Sequence, residues 1–242
     1  MAGRPLAIHE QNAIPGFTNR ALAKLAKLAM SGFPLVGYRV TGNPVRTDIA
    51  ELPAPAQRLA GRSGPLRLLI VGGSLGAQVF NETLPGALSL MASERRPQVW
   101  HQTGRNKSAG VENAYRQAGV QASVHTLADF IEDMPAAYAW ADLVLCRAGA
   151  LTVAEVAAAG VAAVFVPFPH AVDDHQTANA RYLTEQGAGV LLPQNELTPE
   201  HLAALLAGFE RSELLRLAEA ARGQSKIDAT ESVVNELLSI AR

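Results

Sequence analysis

The sequence contains a single cysteine, Cys146, among its 242 residues. An internal disulfide is therefore excluded, and this cysteine usage is typical of a reducing compartment. Aromatic residues make up only 5% of the chain, and 21 basic against 22 acidic residues leave a formal net charge of −1. Because this balance provides no overall positive field, we predict that nucleic acid is not a partner.

Long hydrophobic runs are also absent from the sequence. The longest nearly uncharged run, Val156 to Pro169, is shorter than the roughly 20 residues that a membrane-spanning helix needs. No secretory signal is visible at the N-terminus. Hydrophobic residues nevertheless make up 48% of the chain, which excludes a disordered protein. These features predict a folded protein that is soluble or contacts a membrane only peripherally.

The middle of the chain alternates short β-rich runs with segments of helical periodicity. Glycines at positions 119, 160 and 187 follow three of the predicted helices, where they would supply left-handed caps. This alternation predicts an α/β fold with a doubly wound parallel sheet. The predicted strands are 66–71, 98–102, 123–126, 143–146, 163–166 and 190–192, and the predicted helices are 77–91, 111–118, 134–141, 151–159 and 176–186.

The two ends of the chain follow another pattern. Three helical segments without intervening strands are predicted at 198–207, 212–221 and 230–241. A strand at 5–8 and an amphipathic helix at 18–30 are predicted near the N-terminus, and 53–64 has the composition of a connection. Since a lone strand and helix cannot bury their apolar faces, we expect a preceding part of the protein to be missing from this sequence.

A glycine-rich turn, Gly-Gly-Ser-Leu-Gly-Ala at 72–77, lies between the first of the six predicted strands and its helix. Glycines let the backbone approach an anion, and a helix N-terminus offers free N–H groups at its positive end. Ser74 adds a hydroxyl donor. The spacing matches neither the dinucleotide fingerprint nor the P-loop. We favour phosphate binding over a simple packing turn because of its place at the carboxyl end of a strand.

A second strand-to-helix turn runs from Arg147 to Glu155 and is rich in small residues. Glu155 would lie about one turn into the helix, where its carboxylate could accept two hydrogen bonds from a ribose diol. A glutamate that complements the helix dipole explains the same position equally well. Cys146, at the end of the preceding strand, is interpreted as a small buried hydrophobe.

Two further segments carry polar side chains of possible function. The loop 167–176 contains two histidines, two aspartates and Gln176, which suggest either a metal site or hydrogen bonds to a polyhydroxylated ligand. We predict no metal, since the ligand types lie on a loop and the aspartates are adjacent; loop ordering and helix capping are the simpler roles. Arg46 follows a Gly-Asn-Pro-Val turn and could contact phosphate oxygens, or lie free at the surface.

Six segments together resemble the MurG family, the peptidoglycan N-acetylglucosaminyltransferases that act on a lipid-linked muramoyl-pentapeptide. They are HEQNAIPGFTNR, GNPVR, GGSLGA, DFIEDM, GALTVAE and PFPHAVDDHQTANA, in the family's order and spacing. The resemblance extends from about Pro5 to the C-terminus. It implies a B-type glycosyltransferase fold, whose Rossmann-like C-terminal domain binds UDP-N-acetylglucosamine.

The resemblance also implies how the chain is divided. Residues 1–38 would be a remnant of the N-terminal, acceptor-binding domain, 39–222 the UDP-sugar donor domain, and 223–242 a helix that packs back on the N-terminal domain. The candidate catalytic base and the membrane-facing surface would belong to the part that precedes this sequence. No catalytic residue is therefore assigned in this chain. The family's place of action is the cytoplasmic face of the bacterial inner membrane.

Residues of the donor site follow from the same resemblance, which implies no metal and no cofactor. Ser74 and Arg46 would contact the diphosphate, Ile131 the uracil through its backbone beside Phe130 and Met134, and Glu155 the ribose. Gln176, with His175 beside it, would read sugar hydroxyls. The remaining candidate contacts are Asn12 near the cleft and the start of one helix, Ala150, Leu151, Thr152, Val153 and Ala154.

The function implied is that of an inverting glycosyltransferase. It would transfer N-acetylglucosamine from UDP-N-acetylglucosamine to the lipid-linked muramoyl-pentapeptide, converting lipid I to lipid II. Two alternatives stay open at this point: a UDP-sugar-binding fragment without turnover, and an enzyme similar to UDP-N-acetylglucosamine 2-epimerases.

Overall fold

The structure is a computed structural model that describes residues 4–241; the first three residues of the predicted segment 1–38 and the last residue of 223–242 lie outside the described residues. The strands are β1 (Ala7–Glu10), β2 (Leu28–Ser31), β3 (Arg39–Val40), β4 (Arg67–Val71), β5 (Gln98–Gln102), β6 (His125–Ala128), β7 (Leu143–Cys146), β8 (Ala162–Phe165) and β9 (Val190–Leu191). The helices are α1 (Phe17–Ala23), α2 (Thr47–Ala50), α3 (Pro55–Leu59), α4 (Gln78–Leu90), α5 (Ser108–Gln117), α6 (Met134–Trp140), α7 (Ala150–Ala159), α8 (His175–Thr184), α9 (Pro199–Gly208), α10 (Arg211–Gly223) and α11 (Ala229–Ile240).

The larger sheet has six parallel strands in the order β6-β5-β4-β7-β8-β9. Counted from β4, this is the order 3-2-1-4-5-6 of a doubly wound nucleotide-binding fold. The predicted α/β fold class is confirmed, and Gly119 and Gly160 have the positive φ expected of helix caps. β6 begins two residues later than predicted because 122–124 form a short 3-10 turn.

Both faces of this sheet are covered by apolar layers. Along β4, Leu68 and Ile70 belong to one layer, whereas Leu69 and Val71 belong to the other. Successive side chains of a strand point to opposite faces, so a continuous apolar run is the pattern of a strand buried on both sides. The rigid sheet places the carboxyl ends of all six strands at one edge.

The smaller sheet is formed by β1, β2 and β3, all parallel. The predicted helix 18–30 is confirmed only as far as Ala23, where α1 ends. Its second half is wrong, because residues 28–31 form β2, in which Leu28 pairs with Ala7. The segment Ala-Lys-Leu-Ala-Lys-Leu-Ala has high helix propensity, but pairing with β1 overrides that local preference. The predicted connection 53–64 contains the short helix α3.

The C-terminal helix α11 lies against β2 of the smaller sheet. Arg39 on β3 forms an ion pair with Glu236 of α11. The predicted division between residues 38 and 39 falls immediately before β3, which pairs with β2 and so belongs to the smaller sheet. The three-part division of the chain stays a prediction.

Helices long and apolar enough to cross a membrane are not found within residues 4–241.

Candidate functional site

The ends of β4 and β7 meet at the centre of the larger sheet, where the strand order reverses. Val71 pairs with Cys146, and the Arg147 backbone N–H donates to the Val71 carbonyl over 3.4 Å. The connection after β4 leads to α4 on one face, and the connection after β7 leads to α7 on the other. In open α/β sheets, this arrangement opens a crevice at the carboxyl ends of the strands, where ligands bind.

Two of the three glycines in the turn after β4, Gly72 and Gly76, have no room for a larger residue. Gly76 has φ +67°, and a Cβ at this position would lie 2.1 Å from the carbonyl oxygen of Thr103. Two side chains hold the turn: the Gln102 amide donates to the Gly73 carbonyl over 2.9 Å and the Lys107 ammonium to the Leu75 carbonyl, also over 2.9 Å. The turn is therefore braced against the loop after β5.

A cleft of about 400 Å³ lies beside this turn and is lined by Ser74, Arg105, Asp129 and Phe130. The structure thus brings together Ser74 and Phe130, which come from two of the predicted motifs. Asp129 accepts hydrogen bonds from the Ser108 hydroxyl and the Asn106 N–H, at 2.6 and 2.7 Å, and these lower its pKa. The side chain of Ile131 is buried. Arg105 was not singled out in the sequence, since nothing local distinguishes it from a surface arginine.

The N-terminal turn of α7 is held by two side chains of α8. The Gln176 carbonyl oxygen accepts from the N–H groups of Ala148 and Phe168, at 3.2 and 2.9 Å. The Asn179 amide donates to the carbonyl of the same Ala148 over 3.1 Å. Both backbone polar groups of Ala148 are therefore fixed, and the loops after β7 and β8 are tied together. The Gln176 amide nitrogen makes no hydrogen bond that the structure records within residues 4–241.

The predicted helix-start contacts differ in exposure. Leu151 is exposed and Thr152 and Ala154 are half-buried, whereas Ala150 and Val153 are buried. Val153 and Ala154 line a small cavity of about 30 Å³ together with Gly42 and Asn43, which lie between β3 and α2. The first turn of α7 thus offers its backbone N–H groups at the crevice, while Val153 packs inward.

Glu155 lies in the second turn of α7, partly buried. The Tyr138 hydroxyl donates to its Oε2 over 3.0 Å. Burial raises the pKa of Glu155, and the Tyr138 hydrogen bond and the positive charge of Arg46 oppose this shift. Arg46, about half exposed, lies 3.7 Å from the Asp48 carboxylate. Arg46 and Glu155 are 109 positions apart in the sequence, yet the charge of Arg46 opposes the rise in the pKa of Glu155 in the folded protein.

Arg147 is a cation that lies between the loops after β7 and β8. Its guanidinium donates to the carbonyls of Val166 and Pro167, at 3.1 and 3.2 Å. It also lies over the rings of Phe80 and Phe168, 5.2 and 5.4 Å from their centroids. Burial lowers its pKa. The structure therefore places a partly desolvated positive charge next to the crevice.

Asn12 is joined to the same crevice through hydrogen bonds. Its Oδ1 accepts from the Asn179 amide over 3.2 Å, and its own N–H donates to the carboxylate of Glu10 over 2.8 Å. Glu10 is buried, which by itself would raise its pKa. The four hydrogen bonds that it accepts, from Asn12, Gly16 and Asn19, nevertheless lower the pKa below its usual value. Glu10 and Asn179 lie in two of the segments that resemble the MurG family, but the sequence predicts no individual role for either of them.

The polar loop after β8 contains Asp173 and Asp174, both with φ above +50°. Asp173 approaches Arg20 of α1 at 3.9 Å between partly exposed side chains. Clusters of three or more histidine, cysteine, aspartate or glutamate residues placed to hold a metal ion are not found in the described part of the chain. Cys146 is buried, and burial raises the pKa of its thiol.

The chain is similar to known proteins over its whole length. The glycosyltransferase family 28 C-terminal domain matches residues 67–235. All of the chain aligns, at 56% identity, with 67% of the UDP-N-acetylglucosamine–N-acetylmuramyl-(pentapeptide) pyrophosphoryl-undecaprenol N-acetylglucosamine transferase of Azoarcus sp. strain BH72. The crystal structure of Acinetobacter baumannii MurG superposes with a TM-score of 0.87 at 43% identity, over 98% of this chain and 67% of that one.

The chain belongs to the MurG family. It spans about two thirds of the length of these relatives. The glycosyltransferase VinC, solved in complex with dTDP, matches 88% of this chain and 51% of its own with a TM-score of 0.56 at 19% identity, which shows a common fold alone. The predicted MurG resemblance and the fold of a B-type glycosyltransferase C-terminal domain are therefore confirmed. The individual donor contacts stay predictions.

Proposed function

We propose that this chain holds the donor site of an inverting N-acetylglucosaminyltransferase. The single observation that carries the proposal is the meeting of the β4 and β7 turns at the switch point, with the Ser74 cleft beside the β4 turn and Glu155 in the helix that follows the β7 turn. Family membership supports the identity of the donor, since the relatives are named for transfer of N-acetylglucosamine. The acceptor would be the lipid-linked muramoyl-pentapeptide, reached peripherally at the cytoplasmic membrane face.

The reaction is a displacement at the anomeric carbon of the sugar. A bond forms between that carbon and the 4-hydroxyl oxygen of the acceptor, while the bond to the UDP oxygen breaks and UDP leaves with the electron pair. A base removes the hydroxyl proton. The residues of this chain would act on the leaving group: the α7 N-terminus, Ser74 and Arg46 stabilise the diphosphate charge as it develops.

Glu155 offers the sharpest test of the donor site. If its carboxylate binds the ribose diol, wild-type protein should bind UDP more tightly than 2′-deoxy-UDP, and Glu155→Gln should reduce that preference. Loss of one charge-assisted hydrogen bond predicts about a tenfold weaker affinity for UDP. Glu185→Gln, at an exposed position beyond α8, is the matched control and should bind like the wild type. An unchanged ribose preference in Glu155→Gln would return Glu155 to a role in complementing the helix dipole.

Product analysis distinguishes transfer from the two alternatives. Protein incubated with labelled UDP-N-acetylglucosamine and the lipid-linked acceptor should yield labelled disaccharide-lipid and UDP. Epimerised sugar nucleotide formed without acceptor would support the epimerase alternative. UDP binding with no product would identify this chain as a binding fragment.

A further inference from the structure

The hydrogen bonds of Asn179 connect three parts of the molecule. Its side chain is fully buried on α8. The Oδ1 accepts from the Ala13 N–H over 2.8 Å, and the Nδ2 donates to the Ala148 carbonyl and to Asn12 Oδ1. One amide therefore holds the loop after β1 against the loop that opens α7, although Asn179 lies more than 160 positions after the first of these loops.

The loop after β1 is itself fixed from the other side by Glu10. The two carboxylate oxygens of Glu10 accept from the backbone N–H groups of Asn12 and Gly16 and from the Asn19 amide, at 2.8 to 3.1 Å. A continuous path of hydrogen bonds thus runs from Glu10 through Asn12 and Asn179 to Ala148. Each member is buried or partly buried, so a broken link leaves a polar group without a partner, which costs more than the bond itself contributes.

We propose that Asn179 is a positioning residue that sets the α7 N-terminus for the donor phosphates, and that the loop after β1 determines this setting through it. The inference rests on the proposed function. Ala148 lies two residues before α7, so a shift of its carbonyl moves the first helical N–H groups. Anion binding by such groups depends on their alignment within a fraction of an ångström. Asn179 itself has no free donor to offer a ligand, because both oxygen and nitrogen are engaged in the protein.

A positioning role predicts a selective loss of affinity. Asn179→Ala should weaken UDP binding about tenfold while uridine, which lacks phosphates, binds within about twofold of the wild type. A purely structural role would lower the melting temperature and leave the ratio of UDP to uridine affinity unchanged. Asn113→Ala is the matched control, since Asn113 lies exposed on α5 and contacts only Arg116 through its recorded hydrogen bond.

Glu10→Gln extends the test along the path. The recorded hydrogen bonds of the Glu10 side chain go only to Asn12, Gly16 and Asn19, so the path through Asn12 and Asn179 is its direct hydrogen-bonded route to Ala148. As a single variant, Glu10→Gln should weaken UDP binding. In the Asn179→Ala background it should cause little further loss of UDP affinity, because the effects of coupled sites are not additive. If Asn179→Ala does not fold, the ratio of UDP to uridine affinity measured for Glu10→Gln tests the positioning role instead.

Calorimetry with UDP and with uridine supplies all of these affinities. An unchanged UDP-to-uridine ratio in the folded variants, or full additivity in the double variant, overturns the positioning role. Absence of UDP binding by the wild-type chain is a different result, because it overturns the proposed function first.

Discussion

Acid should destabilise this fold through one buried histidine of β5. His101 on β5 is fully buried, and its Nδ1 pairs with the Tyr115 hydroxyl at 3.1 Å. Its Nε2 has no recorded partner within residues 4–241. Burial, together with the charge of the neighbouring His125, lowers the pKa of His101 to about 3. The imidazole is therefore neutral in the folded protein at every pH well above 3.

The magnitude follows from linkage between protonation and folding. The unfolded chain binds a proton at His101 with an ordinary pKa of about 6.5, whereas the folded chain does not until about pH 3. Stability from this group is thus fully present above pH 6.5 and is lost as the pH falls from 6.5 towards 3. Between pH 7 and pH 5 the loss is about 2 kcal/mol of unfolding free energy.

Urea denaturation at pH 7, 6 and 5 measures this loss. His101→Gln should be less stable than wild type at pH 7, because Tyr115 is repacked, yet its stability should fall about 2 kcal/mol less between pH 7 and pH 5. His201→Gln, at an exposed position on α9, should keep the wild-type dependence. Parallel curves for wild type and His101→Gln would refute the reasoning.

Three further predictions concern charge and backbone. Asp142→Asn should cost about 3 kcal/mol in urea denaturation, because this fully buried carboxylate pairs with both Arg62 and Arg211; a loss below about 1 kcal/mol would contradict the pairing. Gly76→Ala should lower both stability and UDP affinity through its clash with Thr103. Gly61→Ala is the control for the backbone cost, since Gly61 has φ +69° but open space around it. Equal losses of stability in the two variants would exclude the clash. Arg147→Met should weaken UDP binding in calorimetry more than uridine binding, and an equal loss of both would argue against a role of its charge.

Local sequence patterns were sufficient to predict the strands of the larger sheet and the turns at its edge. The four inner strands of this sheet contain buried residues, whereas the edge strands β6 and β9 are only partly buried, so hydrophobic runs mark the inner strands most clearly. Such signals predict the turn 72–77 and the helix 151–159, which begins one residue earlier, at Ala150, in the structure. Each of these features depends on residues that are neighbours in the sequence.

Features that depend on distant pairing could not be predicted in the same way. β2 was predicted as helix because Lys24 to Met30 has helical composition; only its pairing with β1 makes it a strand. Glu10 and Asn179 lie in two of the six segments that resemble the MurG family, but their individual roles arise from contacts up to 167 positions away. Arg46 and Glu155 were each ambiguous in isolation, and the fold brings their charges together.

The central claim is a donor site at the switch point between β4 and β7. Calorimetric titration of the folded chain with UDP-N-acetylglucosamine tests it most directly. The account predicts saturable binding at one site per chain, competed by UDP and weakened by Glu155→Gln. A folded chain that produces no binding heat with either UDP-N-acetylglucosamine or UDP would contradict it.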